Sequence, residues 1–116
     1  MQAKNISFIG GAVDQNAYLI LGDGATGSID GYYIQDMYRT DTGTYSLFHA
    51  RSSTWQISNL KTINTTGLFN VIDSSLTLDT AEVRNITARY KSQFLFLLSN
   101  ANVQLTNFKY WGQQEV

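Results

Sequence analysis

The sequence predicts an all-β chain wound into a solenoid of stacked coils, and three observations carry that prediction. A short motif returns five times, as Ala3-Lys4-Asn5-Ile6-Ser7-Phe8, Ile29-Asp30-Gly31-Tyr32-Tyr33-Ile34, Ile57-Ser58-Asn59-Leu60-Lys61-Thr62, Leu78-Asp79-Thr80-Ala81-Glu82-Val83 and Leu105-Thr106-Asn107-Phe108-Lys109-Tyr110. Its starts lie 26, 28, 21 and 27 residues apart, a period that belongs to stacked repeats rather than to one globular core. Thr, Tyr, Phe, Val, Ile and Leu alternate with polar residues in short groups, with no sustained helical period, and Gly, Asn, Asp and Ser separate the groups. The chain also contains no proline, against an ordinary usage of about 5%; continuous hydrogen-bonded ladders favour that loss, because proline has no N–H to donate.

The elements follow in order, as one domain over 1–116 with coils near 1–25, 26–52, 53–74, 75–100 and 101–116. Each coil is expected to hold three strands and three turns. The first bends at Asn5, reaches a strand from Ala17 to Leu21, and turns through the glycine-rich Gly22 to Gly27. The second bends at Gly31 and reaches a strand from Tyr45 to Ala50; the third bends at Asn59 and reaches Leu68 to Ile72, followed by a tight Asp73-Ser74-Ser75 turn. In the fourth, a strand from Leu76 to Asp79 bends at Thr80 into Ala81 to Asn85. A longer loop from Ile86 to Gln93 then leads to the apolar strand Phe94 to Leu98 and the polar turn Ser99 to Asn102. The fifth bends at Asn107.

In-register stacking pairs each strand in parallel with its counterpart about 4.8 Å away. Ala3, Ile29, Ile57, Leu78 and Leu105 then form one inward column, and Ile6, Tyr32, Leu60, Ala81 and Phe108 a second, while Lys4, Asp30, Ser58, Asp79 and Thr106 alternate outward. The bend column Asn5, Gly31, Asn59, Thr80 and Asn107 holds residue types suited to a left-handed backbone, with Thr80 the poor fit.

On these residues the chain resembles the right-handed parallel β-helix of the pectin-lyase-like superfamily, whose bend between second and third strands often carries a stacked asparagine ladder; Asn5, Asn59 and Asn107 match that position. Its sequons and loose repeats are also similar to the β-helical regions of large cell-surface proteins. The repeat gives about four to five coils, the uncapped ends predict a fragment of a longer β-helix or a subunit capped by its neighbours in a fibre, and an extracellular or cell-surface setting is expected. An antiparallel β-sandwich is the alternative fold, since strand spacing near ten residues suits both; hairpin signals are scarce, however, with Asp23-Gly24 and Asp30-Gly31 the two examples.

Composition narrows the function classes. Eight basic and nine acidic residues are scattered along the chain, so no basic patch is present to neutralise nucleic-acid phosphates. The longest apolar run, Phe94 to Leu98, is far short of the roughly 20 residues of a membrane helix. Met1-Gln2-Ala3-Lys4 is followed by no apolar signal-peptide region. Without cysteine there is no thiol chemistry, and His49 is the single histidine, which reads as a packed or solvated ring rather than a catalyst. Asp23, Asp30, Asp36, Asp41, Asp73 and Asp79 lack the spacing of a calcium loop, and Gly22 to Gly27 lacks the lysine of a phosphate cradle. No cofactor and no metal is expected.

The enzymes of the resembled superfamily place their charged groups on the outer face of the first strands. Here Tyr18, Ile20, Ser46, Phe48, Phe69, Val71, Leu95 and Leu97 are expected inward, and the outward set of Leu19, Leu21, Leu47, His49, Asn70, Ile72, Phe96 and Leu98 is mostly apolar. It offers no carboxylate pair for glycoside cleavage. The sequence therefore reads as non-catalytic, and Leu19, Leu21, Leu47, His49, Ile72, Phe96 and Leu98 form a candidate lateral interface, since an apolar stripe of this length calls for a cover. Flanking segments of the same polypeptide, copies of the chain, or its own long third loops are the candidate covers.

Three sequons occur, at Asn5, Asn64 and Asn85. Asn64 and Asn85 share a column at the exit of the third strand, where a glycan reaches solvent; Asn5 is the weakest candidate, expected to be buried in the bend column. The chain begins inside a coil and stops after a third strand, with open rungs at both ends. The expected role is a structural or assembly segment of a surface β-helical protein, such as a scaffold, adhesin shaft or filament component. The alternative is a non-catalytic part of a polysaccharide lyase, hydrolase or tailspike, with carbohydrate as a possible partner.

Overall fold

Alternating apolar residues and well-placed left-handed corners organise the computed structural model, which describes residues 2–13, 18–39, 47–86 and 96–111. Nine strands follow in order: β1 (Gln2–Val13), β2 (Ile20–Asp23), β3 (Thr26–Arg39), β4 (Phe48–Arg51), β5 (Thr54–Thr65), β6 (Phe69–Ile72), β7 (Ser75–Ile86), β8 (Phe96–Ser99) and β9 (Asn102–Trp111). Odd strands form a five-stranded sheet in the order β1-β3-β5-β7-β9, and even strands a four-stranded sheet, β2-β4-β6-β8. Every pairing is parallel. This is a parallel β-solenoid, and the antiparallel sandwich is set aside.

The long strands unite what the sequence splits into second and third strands. Each is a single ladder bent at left-handed residues, and the register simply skips them: Lys4 pairs Asp30 and Ile6 pairs Tyr32, with Asn5 and Gly31 between. Both inward columns predicted from the sequence are register columns, from Ala3 to Leu105 and from Ile6 to Phe108. Their central members Ile29, Ile57, Leu78, Tyr32, Leu60 and Ala81 are fully buried, and burying a side chain of the larger ones contributes about 1.5–3 kcal/mol.

Three corners recur along the stack. Positive φ occurs at Gly24, Ser52, Asp73 and Asn100, then seven residues later at Gly31, Asn59, Thr80 and Asn107, then five later at Asp36, Asn64 and Asn85; the first rung has Asn5 and Gly10. All variation in coil length therefore falls between the third corner and the next short strand. That stretch includes residues 14–17, 40–46 and 87–95, so most of the expected Ile86 to Gln93 loop lies outside the described residues, while Ile86 itself pairs with Thr65 in β7.

The short strands correct the inward and outward assignment in two places. Ile20, Phe48, Phe69 and Phe96 are register partners, with the Phe69 and Phe96 rings stacked 5.5 Å apart. Phe96 thus belongs to the inward column, Leu97 lies beside Asn70 on the outer face, and Leu98, expected outward, is the register partner of buried Val71 and faces inward. Phe94 to Leu98 is apolar in both parities, so it carries no alternation to fix its register. The following corner fixes it instead, through the Asp73 N–H donating to Ser99 O at 2.9 Å. Leu47 is also misplaced by the sequence reading: it is completely buried in the core cluster. It precedes β4, so strand alternation does not govern it, and both Leu47 and Phe48 turn into the core. Ser46 and Leu95 lie outside the described residues.

Candidate functional site

The chemistry-bearing side chains concentrate at the corners, because a left-handed residue turns its side chain away from the core and beside its counterpart on the next rung. At the third corner, Asn64 Nδ2 donates to Asp36 Oδ1 at 3.1 Å, and Asn85 Nδ2 donates to Asn64 Oδ1 at 2.5 Å. At the first, Asn100 Nδ2 donates to Asp73 Oδ1 at 2.8 Å. One residue further, buried Ser53 and Ser74 continue inside: the Ser53 N–H donates to Ser74 Oγ at 2.9 Å, Ala25 N–H to Ser53 Oγ at 3.0 Å, and Ser74 Oγ to Ile72 O at 2.7 Å. The first two join neighbouring rungs and the third closes the turn within its own rung, and each gives a partner to groups the bend would otherwise leave without one.

The bend column of the sequence reading has left-handed backbone at all five positions. Its side chains point to solvent, Asn5 included, and Asn59 Nδ2 donates diagonally to Asp30 Oδ1 at 2.7 Å rather than along the column. Asn5 is therefore exposed rather than buried, since an outer corner, not the interior, receives its amide. Gly31 leaves the gap in which that amide sits: a Cβ there would meet Asn5 Oδ1 at 2.7 Å. The sequence reading placed Asn64 and Asn85 in one column but missed Asp36 and the hydrogen bonds that join the three. The signal was present, since each lies five residues after a bend residue. Asn64 and Asn85 are adjacent in one column, and their Nδ2 atoms, which a glycan would occupy, serve this ladder.

On the outer face of the long sheet, Gln2, Lys4, Ser28, Asp30, Gln56, Ser58, Thr77 and Asp79 line a groove of about 700 Å³ that runs across the rungs. Hydrogen bonds from Asn59 first, then from Ser58, hold the Asp30 carboxyl below its ordinary range. Asp30 is accordingly an acceptor and not a proton donor at neutral pH. The groove presents amides, hydroxyls, carboxylates and the Lys4 ammonium, with Ala3, Ile29 and Ile57 also lining it.

Of the predicted lateral residues, Leu21, His49 and Ile72 stand on the outer columns of the short sheet, Leu21 59% exposed and the other two half-buried, while Leu19 packs against the core and Leu98 continues the inward column of Ala50 and Val71, its 49% exposure reflecting its place on the last short strand. Tyr18 stacks on His49 at 4.9 Å. Burial, then the Arg51 charge, holds the imidazole below its ordinary value against an opposing pull from Asp23. His49 Nδ1 is buried with no hydrogen-bond partner among the described residues. Arg51 is engaged with Asp23, N to O at 2.8 Å on an exposed pair, and its hydrogen bond and charge depress the Asp23 carboxyl. Among the described residues no three His, Asp or Glu side chains are grouped to hold a metal ion, and no helix is long and apolar enough to cross a membrane. No protein-family model matches the chain, nor does any curated protein sequence or solved structure.

Proposed function

We propose that the chain is a non-catalytic structural segment of an extracellular or cell-surface β-helical protein, serving as a rigid spacer or assembly module. The constant corner geometry carries this reading: in the three coils where all three corners are described they lie seven and five residues apart whatever the coil length, and the strands between them run as continuous ladders. Coil length varies only between the third corner and the next short strand, and the register of the described long strands is kept. The resemblance to β-helical regions of surface proteins supports the same role, and so do the three sequons.

The test places the 116-residue chain between two fluorescent reporter domains and measures their separation by energy transfer. One narrow separation, unchanged by salt, is expected; a broad distribution overturns the spacer role. Release of reducing ends from a panel of plant and bacterial polysaccharides would overturn the non-catalytic assignment. A second reading, a carbohydrate-contacting segment of a larger β-helical enzyme or tailspike, is favoured by the polar groove across Gln2, Ser28, Gln56 and Thr77. Chemical-shift changes confined to those residues on adding an oligosaccharide would support it.

A further inference from the structure

The two outer faces of the long sheet, which meet at the bend, carry opposite charge. Before the bend, Lys4, Asp30, Ser58 and Asp79 stand in one column along the groove. After it, Tyr33, Lys61, Glu82 and Lys109 form a column on the neighbouring wall, and Arg84 adds a cation one column further, its guanidinium 3.8 Å above the Trp111 ring. The groove column thus holds two acids to one cation, and the wall three cations to one acid. Lys61, Glu82 and Lys109 occupy successive rungs but form no ion pair among the described residues. Asp30 takes its hydrogen bonds from Ser58 and Asn59 on Oδ1 alone. The spacing is also alike on both faces: Asp30 and Asp79 are two rungs apart, as are Lys61 and Lys109, about 9.6 Å in each case.

We infer that the acidic groove is a docking surface for the basic wall of a second copy of the chain, lying side by side with its axis parallel and displaced by one rung. This rests on the assembly role proposed above, and it uses the flanks of the stack, not its ends. Charge complementarity sets the arrangement. With a displacement of one rung, Lys61 meets Asp30 and Lys109 meets Asp79, the Tyr33 ring covers Lys4, and Glu82 faces neutral Ser58. With none, Glu82 would face Asp79, a like-charge contact that opposes association. Two stacks with parallel axes run their strands in opposite directions where they touch, so a second pair of columns aligns at the same time and sets Arg84 beside Gln56. Reversing one axis keeps two ion pairs but carries Arg84 off the groove and leaves Lys4 outside the contact. The contact is heterologous, and its one-rung displacement prevents closure, so copies add sideways. Exposed ion pairs are screened by salt, so the association is weak and falls with ionic strength.

Charge reversal on the full chain tests the contact. At low salt the unmodified chain is expected to sediment as a concentration-dependent series above 13.0 kDa, with its dissociation constant raised at least about tenfold on going from about 0.02 M to about 0.5 M salt. Lys61→Glu with Lys109→Glu, and separately Asp30→Lys with Asp79→Lys, should each weaken self-association at least about tenfold. An equimolar mixture of the two double variants should restore it, since each reversed face then meets its complement. The single reversals Lys109→Glu and Asp79→Lys repeat the test without touching the hydrogen bonds of Asp30, and circular dichroism checks that each variant folds. Self-association that survives either reversal, or a mixture that associates no better than its components, overturns the inference. So does a single 13.0 kDa species at every concentration. Reporters held at one separation alongside any of these results would leave the spacer role standing.

Discussion

Gly27 lies directly beneath Trp55 as its register partner in the long sheet, and a Cβ on Gly27 would overlap the indole ring. Gly22 underlies the other end of the same ring. The glycine-rich turn of the sequence is therefore a seat for a buried tryptophan that also packs edge-on to Phe48 at 5.3 Å. Gly27→Ala is expected to cost about 1–3 kcal/mol by overpacking, measured by urea unfolding. Combined with Trp55→Leu, the same substitution should cost markedly less than the sum of the two single changes, because the clash is removed; additive costs would show that the ring is not the obstacle.

Thr80 occupies a corner at φ 63°, a conformation that a β-branched side chain adopts at a penalty of about 1–2 kcal/mol. Thr80→Gly or Thr80→Asn is expected to raise stability by about 1 kcal/mol despite loss of the 3.2 Å hydrogen bond from Thr80 Oγ1 to Asp79. Thermal melting of both variants checks this, and a lowered melting temperature in both would contradict it.

Thr62 stands between Ile34 and Val83 in an inward column and is 1% exposed, and its hydroxyl has no hydrogen-bond partner among the described residues. Thr62→Val keeps the shape and removes the stranded group, so a gain of about 1–2 kcal/mol is expected in urea unfolding. A loss would indicate a partner for the hydroxyl.

Stability should fall on acidification in two stages. His49 titrates below its ordinary value of 6.5, so the unfolded chain takes up that proton first, and stability present above about pH 6.5 is lost as pH falls towards the folded value. Asp23 and Asp30 are likewise depressed below 3.8 by the hydrogen bonds from Arg51 and Asn59. Their contribution is complete above that pH and is lost below it. Urea midpoints taken across pH should lose the first decline in His49→Gln and part of the second in Asp30→Asn.

Leu47 and Leu21 appear equivalent in the sequence but behave oppositely in the fold. Leu47→Asp buries a carboxylate in the core cluster and should unfold the chain or destabilise it by at least about 3 kcal/mol. Leu21→Asp, at a 59% exposed position, should change stability by no more than about 0.5 kcal/mol. Circular dichroism during denaturation separates the two outcomes.

The sequence alone determined the solenoid, both inward columns of the long strands and the bend at Asn5, Gly31, Asn59, Thr80 and Asn107, because period-two alternation flanking a left-handed residue type is a local property that repeats down the chain. It did not determine the short strands. Phe94 to Leu98 is apolar at every position, so the inward place of Phe96 was decided by a corner several residues later, where Asp73 bonds to Ser99 on the neighbouring rung. Leu47 was decided by where β4 begins, and the Asp36, Asn64 and Asn85 ladder by alignment of coils of different length. Each of these depends on which residues meet across rungs more than twenty positions apart, and only stacking in three dimensions brings them together.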